Sequence, residues 1–395
     1  MKRLRVTHVI GSLDVGGAER VLCALLAQID PATTNTSVVT LLDGGALKAR
    51  LIERGVDVQS LGMSRRFPQP GAVVKLAKHL ARRQPAVVVT WLYHANLVGG
   101  LAARMAGMPV VWNIRHSTLQ ARLAKRSTRW VNWCAAWLSH SIPTQTVYVG
   151  HAAQQSHAQA GYDTRRSRVI HNGFDGSVYR PDPAARAEVR RELGLAGDVP
   201  LVGLFGRFHS DKDHENFARA AGSIHRRLPT VHFLLCGTGV TKDNRQLIDW
   251  LQHEQIAGQC HLLGSRTDMP RLTASLDVQV SSSLTEALPN VVGEAMACGV
   301  PCAVTDVGDS ALLVGDTGRV VPPRNAAALA QACLELLQQA PGEQQKIQQR
   351  CRRHIVEHFS FDRMVSQHFA LWSEVAGGTI YRRGPIKLSS QRQVA

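Results

Sequence analysis

No stretch of the 395-residue sequence carries an apolar run of about 18 residues, so no membrane-spanning helix is expected. Cysteine forms no framework. Cys23, Cys134, Cys236, Cys260, Cys298, Cys302, Cys333 and Cys351 are scattered, without a CxxC pair or zinc-type spacing. That excludes a zinc module and a disulfide-stapled scaffold, and reads as free thiols in a reducing compartment. No secretory signal is expected either. Lys2, Arg3 and Arg5 resemble its basic start, but the apolar run behind them is short, contains His8 and stops at Asp14. No clustered carboxylate site is visible, so no metal or other cofactor is expected. The chain lacks a recognisable nucleic-acid module, and its aromatics form no stacking strip, so nucleic acid is not an expected partner. A dinucleotide loop is incomplete, because Gly237-Thr238-Gly239 has no third glycine.

Negative charge is scarce in one half only. Residues 1–180 hold 23 Lys and Arg against 8 Asp and Glu, whereas residues 181–395 hold 23 against 22. The formal net charge of +16 therefore sits almost wholly in the first half. On charge alone, a basic half beside a neutral half allows three anionic partners met by one domain, nucleic acid, a membrane surface or a phosphorylated substrate, of which the missing module sets the first aside. Bland solubilising charge is the alternative.

What is present is enough for two ordinary domains with real cores, since 44% of the residues are hydrophobic. Short β-rich runs alternate with helical patterns. The first half has runs at 5–10, 37–42, 56–61, 86–92, 110–114, 145–149 and 168–170. After a turn-rich pause at 171–183 the pattern restarts at 201–205, 231–235, 261–263, 278–281, 302–305 and 319–321. Alternation of this kind means parallel sheets covered on both faces, here an α/β chain of two doubly wound, Rossmann-like domains. The expected organisation is 1–180 and 181–358, then a helix at 359–376 that crosses back to the first domain, then a flexible basic tail at 377–395. Ligands of such sheets bind outside the carboxyl ends of the strands, so a central cleft is the natural site.

Two segments of the second half carry chemistry. The strand at 201–205 ends in Gly206-Arg207-Phe208, and Lys212-Asp213-His214 soon opens a helix. Fixed cations beside helix N-terminal amides suit a phosphate; a solvated Lys-Asp pair is the plain alternative. The strand at 278–281 ends in serines, followed by Glu286 and, in the first turns of a helix, Glu294. Two carboxylates around a helix N-terminus can accept hydrogen bonds from sugar hydroxyls, or can be ordinary solvated side chains.

Taken jointly, these segments resemble the large retaining glycosyltransferase family 4. The match runs through Glu294-Ala295-Met296-Ala297-Cys298-Gly299-Val300-Pro301, through Gly206-Arg207 with Lys212-Asp213-His214, and through the Asn172-Gly173 turn. Val314-Gly315-Asp316-Thr317-Gly318 with Pro322-Pro323, and Gly16-Gly17-Ala18-Glu19-Arg20, follow the family pattern too. The resemblance spans nearly the whole chain, from Val9 to the region of Phe361. It implies the two-domain GT-B fold and metal-independent transfer of a hexose or N-acetylhexosamine from a nucleotide diphosphate sugar, with closure about residues 172–185. It also implies the roles of residues. Arg207 and Lys212 would stabilise the leaving diphosphate, Glu286 would hold the transferred sugar and Glu294 the ribose. Gly16, Gly17, Gly206, Leu288, Asn290 and Val291 would line the donor, and Arg266 and Asp268 the base. His116 would reach the sugar or acceptor, with Arg115 and His94 on the acceptor side. One departure touches the sugar pocket: where the family often has Gly-Phe after the first glutamate, this chain has Ala287-Leu288.

By the same resemblance the acceptor is a glycan or lipid-linked glycan of bacterial surface polysaccharide assembly, met by a cytoplasmic protein at an anionic inner membrane face. Another GT-B enzyme, such as an epimerase or phosphorylase, and a non-catalytic basic binding protein are the alternatives. Trp130, Trp133 and Trp137 fall on one helical face downstream of Arg122, Lys125, Arg126 and Arg129. The face is either a core stripe or an interfacial one, with aromatics at headgroup depth.

Overall fold

The computed structural model describes residues 3–14, 16–63, 70–116 and 126–377. Two compact units divide the chain. One runs to His171 and resumes at Met364; the other is Asn172–Arg363. Apart from Gly377, the expected basic tail lies outside the described residues, as do Arg65, Arg66, Arg122 and Lys125.

The first unit is built on seven strands: β1 (Leu4–Ile10), β2 (Thr34–Thr40), β3 (Asp57–Ser60), β4 (Val87–Trp91), β5 (Val110–Ile114), β6 (Gln145–Tyr148) and β7 (Ser167–Val169). All pairings are parallel, in the order β3-β2-β1-β4-β5-β6-β7. Every residue of β4 and β5 is buried, as the unbroken runs VVVTW and VVWNI require of strands covered on both faces. The second unit has six: β8 (Leu201–Phe205), β9 (His232–Cys236), β10 (Cys260–Leu262), β11 (Val278–Ser281), β12 (Cys302–Thr305) and β13 (Arg319–Val321). They are also parallel, ordered β10-β9-β8-β11-β12-β13. Phe217 meets Phe233 edge to face at 5.9 Å in this core. Each of the thirteen strands overlaps one read from the sequence.

Polar groups are built into the first unit's core. The helix Phe361–Val375 brings His368 and Trp372 against Trp91 and His8, and Trp91 Nε1 donates to His8 Nδ1 at 3.2 Å. Burial lowers His8 and His368 from 6.5 to about 3, and lowers His157 and, in the second unit, His214 to about 4. All four are therefore neutral in the fold, while the unfolded chain takes up protons as pH falls through about 6.5. Stability is full above that value and is lost as pH falls toward 4 and 3. Each histidine adds a slope of up to about 1.4 kcal/mol per pH unit. Thermal melts should drop steeply between pH 6.5 and 4; a flat profile would show that these rings are not buried neutral.

Candidate active site

Strand order reverses in the second unit between β8 and β11, and ligands of doubly wound sheets bind at that point, outside the strand ends. Gly206 and Arg207 follow β8. Lys212 closes the short 3-10 turn Ser210–Lys212. Asp213 then adopts a left-handed φ of 47° and caps the helix His214–Arg227, its Oδ1 accepting from Asn216 N at 3.3 Å. The turn sends the Lys212 side chain past Gly206 to the end of β11, where Nζ donates to Glu286 Oε1. Ser283 Oγ donates to the same oxygen at 2.8 Å, and Ser282 Oγ to the Lys212 carbonyl at 2.7 Å. Thr305 Oγ1, at the end of β12, holds the Ser283 carbonyl at 2.6 Å. Both serines are buried, so their hydroxyls need these partners. Lys212 and Glu286 are themselves largely withdrawn from water, which strengthens their attraction. Arg207 is exposed and has no carboxylate partner among the described residues.

The helix Asn290–Ala297 starts next to this group. Asn290 Oδ1 accepts from Asn172 Nδ2 at 2.6 Å. Three residues on, a Cβ at Gly293 would stand 2.1 Å from the Phe174 ring, so only glycine lets Phe174 lie on the helix. Phe174 is held in turn by backbone bonds to Phe359 and Phe361. The Asn172-Gly173-Phe174 turn is thus a clamp on the start of this helix. Leu288 is buried; Val291 and Glu294 are half-buried.

Three successive loops are knitted at the strand ends. Gly206 N donates to Cys236 O and Phe208 N to Thr238 O, each at 2.8 Å. Gly237 N donates to Gly264 O at 2.8 Å, and the Thr238 and Ser265 hydroxyls meet at 3.0 Å. Gly237, weak as a sequence signal, is central here: its φ is 154° and a Cβ would sit 2.0 Å from Gly206 O. Arg266 and Asp268 form a two-pronged pair at 2.8 Å for both bonds, joined by Arg271 and Glu192. The Arg266 guanidinium holds the Asp268 carboxyl well below the usual carboxylate range.

In the first unit the reversal lies between β1 and β4. Gly16 is the N-cap of the helix Gly17–Gln28, and a Cβ there would collide with Glu19 Oε2. At Gly17 a Cβ would meet nothing within 4 Å. After β4, Leu92 carries a φ of 70°, a strained value for a branched residue. His94 and His116 are exposed. The His116 ring lies 6.2 Å from Tyr93, whose hydroxyl bonds His157 Nε2 at 2.9 Å. Arg115 is buried, its guanidinium 5.4 Å from the centre of the Trp91 ring, and burial lowers it to about 10. Ser282, Ser283 and the Gly237 loop are the supporting residues that the sequence reading left without a role. Among the described residues no group of three or more His, Cys, Asp or Glu side chains is placed to hold a metal ion.

Comparison with known proteins gives consistent matches. Residues 15–177 match the family model described as Glycosyltransferase Family 4, and residues 199–339 the model described as Glycosyl transferases group 1. The UDP-Gal:alpha-D-GlcNAc-diphosphoundecaprenol alpha-1,3-galactosyltransferase of Escherichia coli is 25% identical over 246 residues, 62% of this chain and 63% of that protein. Among solved structures, Anabaena HepE in complex with UDP and glucose superposes with a TM-score of 0.82 at 22% identity, over 94% of this chain and 100% of that one. WaaG, a glycosyltransferase involved in lipopolysaccharide biosynthesis, gives 0.73 at 15% identity, over 95% and 100%.

Proposed function

The chain belongs to the family 4, group 1 glycosyltransferases with the GT-B fold, and from that premise we propose that it moves a hexose or N-acetylhexosamine from a nucleotide diphosphate sugar to a lipid-linked glycan. One observation carries the donor side of this reading: Lys212, Glu286 and Ser283 meet at the strand reversal of the second unit, beside Arg207. The ammonium has N–H donors beyond the one on Glu286, and these suit phosphate oxygens. Arg207 and Lys212 stabilise the charge that develops as the diphosphate leaves, without a metal. Glu286, fixed by Ser283, takes a hydroxyl of the transferred sugar, and Glu294 takes the ribose. Gly206 and the start of the helix Asn290–Ala297, with Leu288, Asn290 and Val291, lie along the donor. Arg266 and Asp268 form a planar paired edge for the base.

The reaction retains anomeric configuration, as in the family. The bond from the anomeric carbon to the diphosphate oxygen breaks, and the diphosphate keeps the electron pair. The acceptor hydroxyl attacks the same face and passes its proton to the departing phosphate. His116, with Gly16 and Gly17, serves the sugar or acceptor end in the first unit, and exposed His94 is a further acceptor-side candidate. Arg115, buried against the Trp91 ring, is another acceptor-side candidate. The Escherichia coli relative supports a diphospholipid acceptor by its name, and an acceptor of that kind would be met at a membrane surface.

A panel of nucleotide sugars tests the donor. Thermal shift should pick out one base and sugar above the rest, with slow release of free sugar from that donor alone. An epimerised sugar in place of free sugar would overturn the transfer reading, and so would indifference to the whole panel.

A further inference from the structure

Six of the seven tryptophans fall into two groups, and the seventh, Trp250, is half-buried against the second unit's core. Trp91, Trp112 and Trp372 are fully buried, whereas Trp130, Trp133 and Trp137 are 59%, 68% and 71% exposed. These three lie on one face of the helix Arg126–Leu138, at steps of three and four residues. The opposite face, with Val131, Ala135 and Ala136, is the buried one. The helix cannot roll to hide the rings. Asn132 Oδ1 accepts from Tyr162 OH at 2.7 Å, and Ser139 Oγ, just past the helix end, accepts from Asp163 N at 2.8 Å while donating to Ala136 O. Three large aromatics held outward on a pinned helix form an apolar patch beyond the scattered exposure usual for soluble surfaces.

The charge of the helix says what covers the patch. Arg126 and Arg129 belong to its first turn, and it carries no carboxylate. It also lies in a stretch of sequence that has no acidic residue between Asp57 and Asp163. At its other end Arg166 donates to the His140 carbonyl at 2.8 Å, so further positive charge sits there. A second copy seated on this face would oppose one cationic surface with another. An anionic lipid surface accepts both halves: indole rings settle at headgroup level, and the cations meet lipid phosphates.

We propose that the helix Arg126–Leu138 is the element by which this chain docks on an anionic lipid bilayer, with Trp130, Trp133 and Trp137 inserted at headgroup depth. The inference deepens the reading of a lipid-linked acceptor, and its test separates the two.

The full chain is floated with vesicles of phosphatidylcholine alone and of phosphatidylcholine with phosphatidylglycerol. Wild type should bind the anionic vesicles, with a blue shift of tryptophan emission and quenching by bromine-labelled acyl chains. The triple variant Trp130→Ser, Trp133→Ser, Trp137→Ser should lose about tenfold or more in partitioning, and should lose the quenching. Its melting temperature should stay that of wild type, because the rings are exposed; Trp133→Ser alone should fall between the two in partitioning. Undiminished binding by the triple variant would overturn the proposal. So would equal binding of wild type to neutral vesicles, or a wild-type dimer that the triple variant abolishes. Donor breakdown keeps the readings apart. The triple variant should still release sugar from the donor, and Lys212→Ala should still float with anionic vesicles. A wild type that floats but consumes no nucleotide sugar would remove the transfer reading and leave the docking helix standing.

Discussion

Replacing Lys212 by alanine should lower the rate of sugar transfer by roughly 10²–10³-fold, the usual effect of removing one fixed donor from a developing charge. The loss should fall mainly on kcat, because the ammonium is asked to stabilise the leaving diphosphate more than the bound donor. The fold should survive. Ser282 holds the backbone carbonyl of residue 212, not its side chain, and Asp213 caps the following helix independently. Glu286 would lose its cation but keep the Ser283 hydroxyl. Lys212→Arg should recover part of the rate, since charge is restored without the same reach. Steady-state kinetics on the donor found by the panel checks this; an unchanged kcat would remove Lys212 from the chemistry.

Gly237→Ala should damage the same site through the backbone. Position 237 has a φ of 154°, a region that side chains rarely enter, at a strain of about 1–3 kcal/mol. The added Cβ would also stand 2.0 Å from Gly206 O and 2.9 Å from Arg207 N, so overpacking adds about 1–3 kcal/mol. These neighbours are backbone and yield only by moving the loop that carries Arg207. The melting temperature should fall by several degrees and donor binding should fail. Gly17→Ala is the matched control: open space surrounds its Cβ, so the melting temperature should not move. Equal melting temperatures for the two variants would show that the loops are not packed as described.

Much of this was legible in the sequence, for identifiable reasons. Strands buried on both faces are written as continuous apolar runs, and Val87–Trp91 or Leu201–Phe205 can hardly be anything else. Positions at the carboxyl ends of those runs were natural candidates, and the structure brings Lys212 and Glu286 together there. Their pairing was not legible, because 74 residues separate them and only the crossover that lays β11 beside β8 makes them neighbours. Nor could periodicity decide the tryptophan face. Indole so outweighs the Val131, Ala135 and Ala136 side that the apolar stripe looks like a core stripe, yet the small side chains are the ones that turn inward, in a helix that packs on the helix Leu92–Met105. Arg115 shows the reverse limit. Its place at a strand's end was legible, but its burial against the Trp91 ring, 24 residues back along the chain, was not.

By the proposed function, the reversal of the second sheet binds a nucleotide diphosphate sugar and drives retaining transfer. Proton NMR of the slow turnover of that donor in water, followed from the first minutes, tests it most directly. The first free sugar should carry the anomeric configuration of the donor, with nucleoside diphosphate released in step and both products forming roughly 10²–10³-fold more slowly in Lys212→Ala. An inverted first product, or the same turnover in Lys212→Ala, would contradict it.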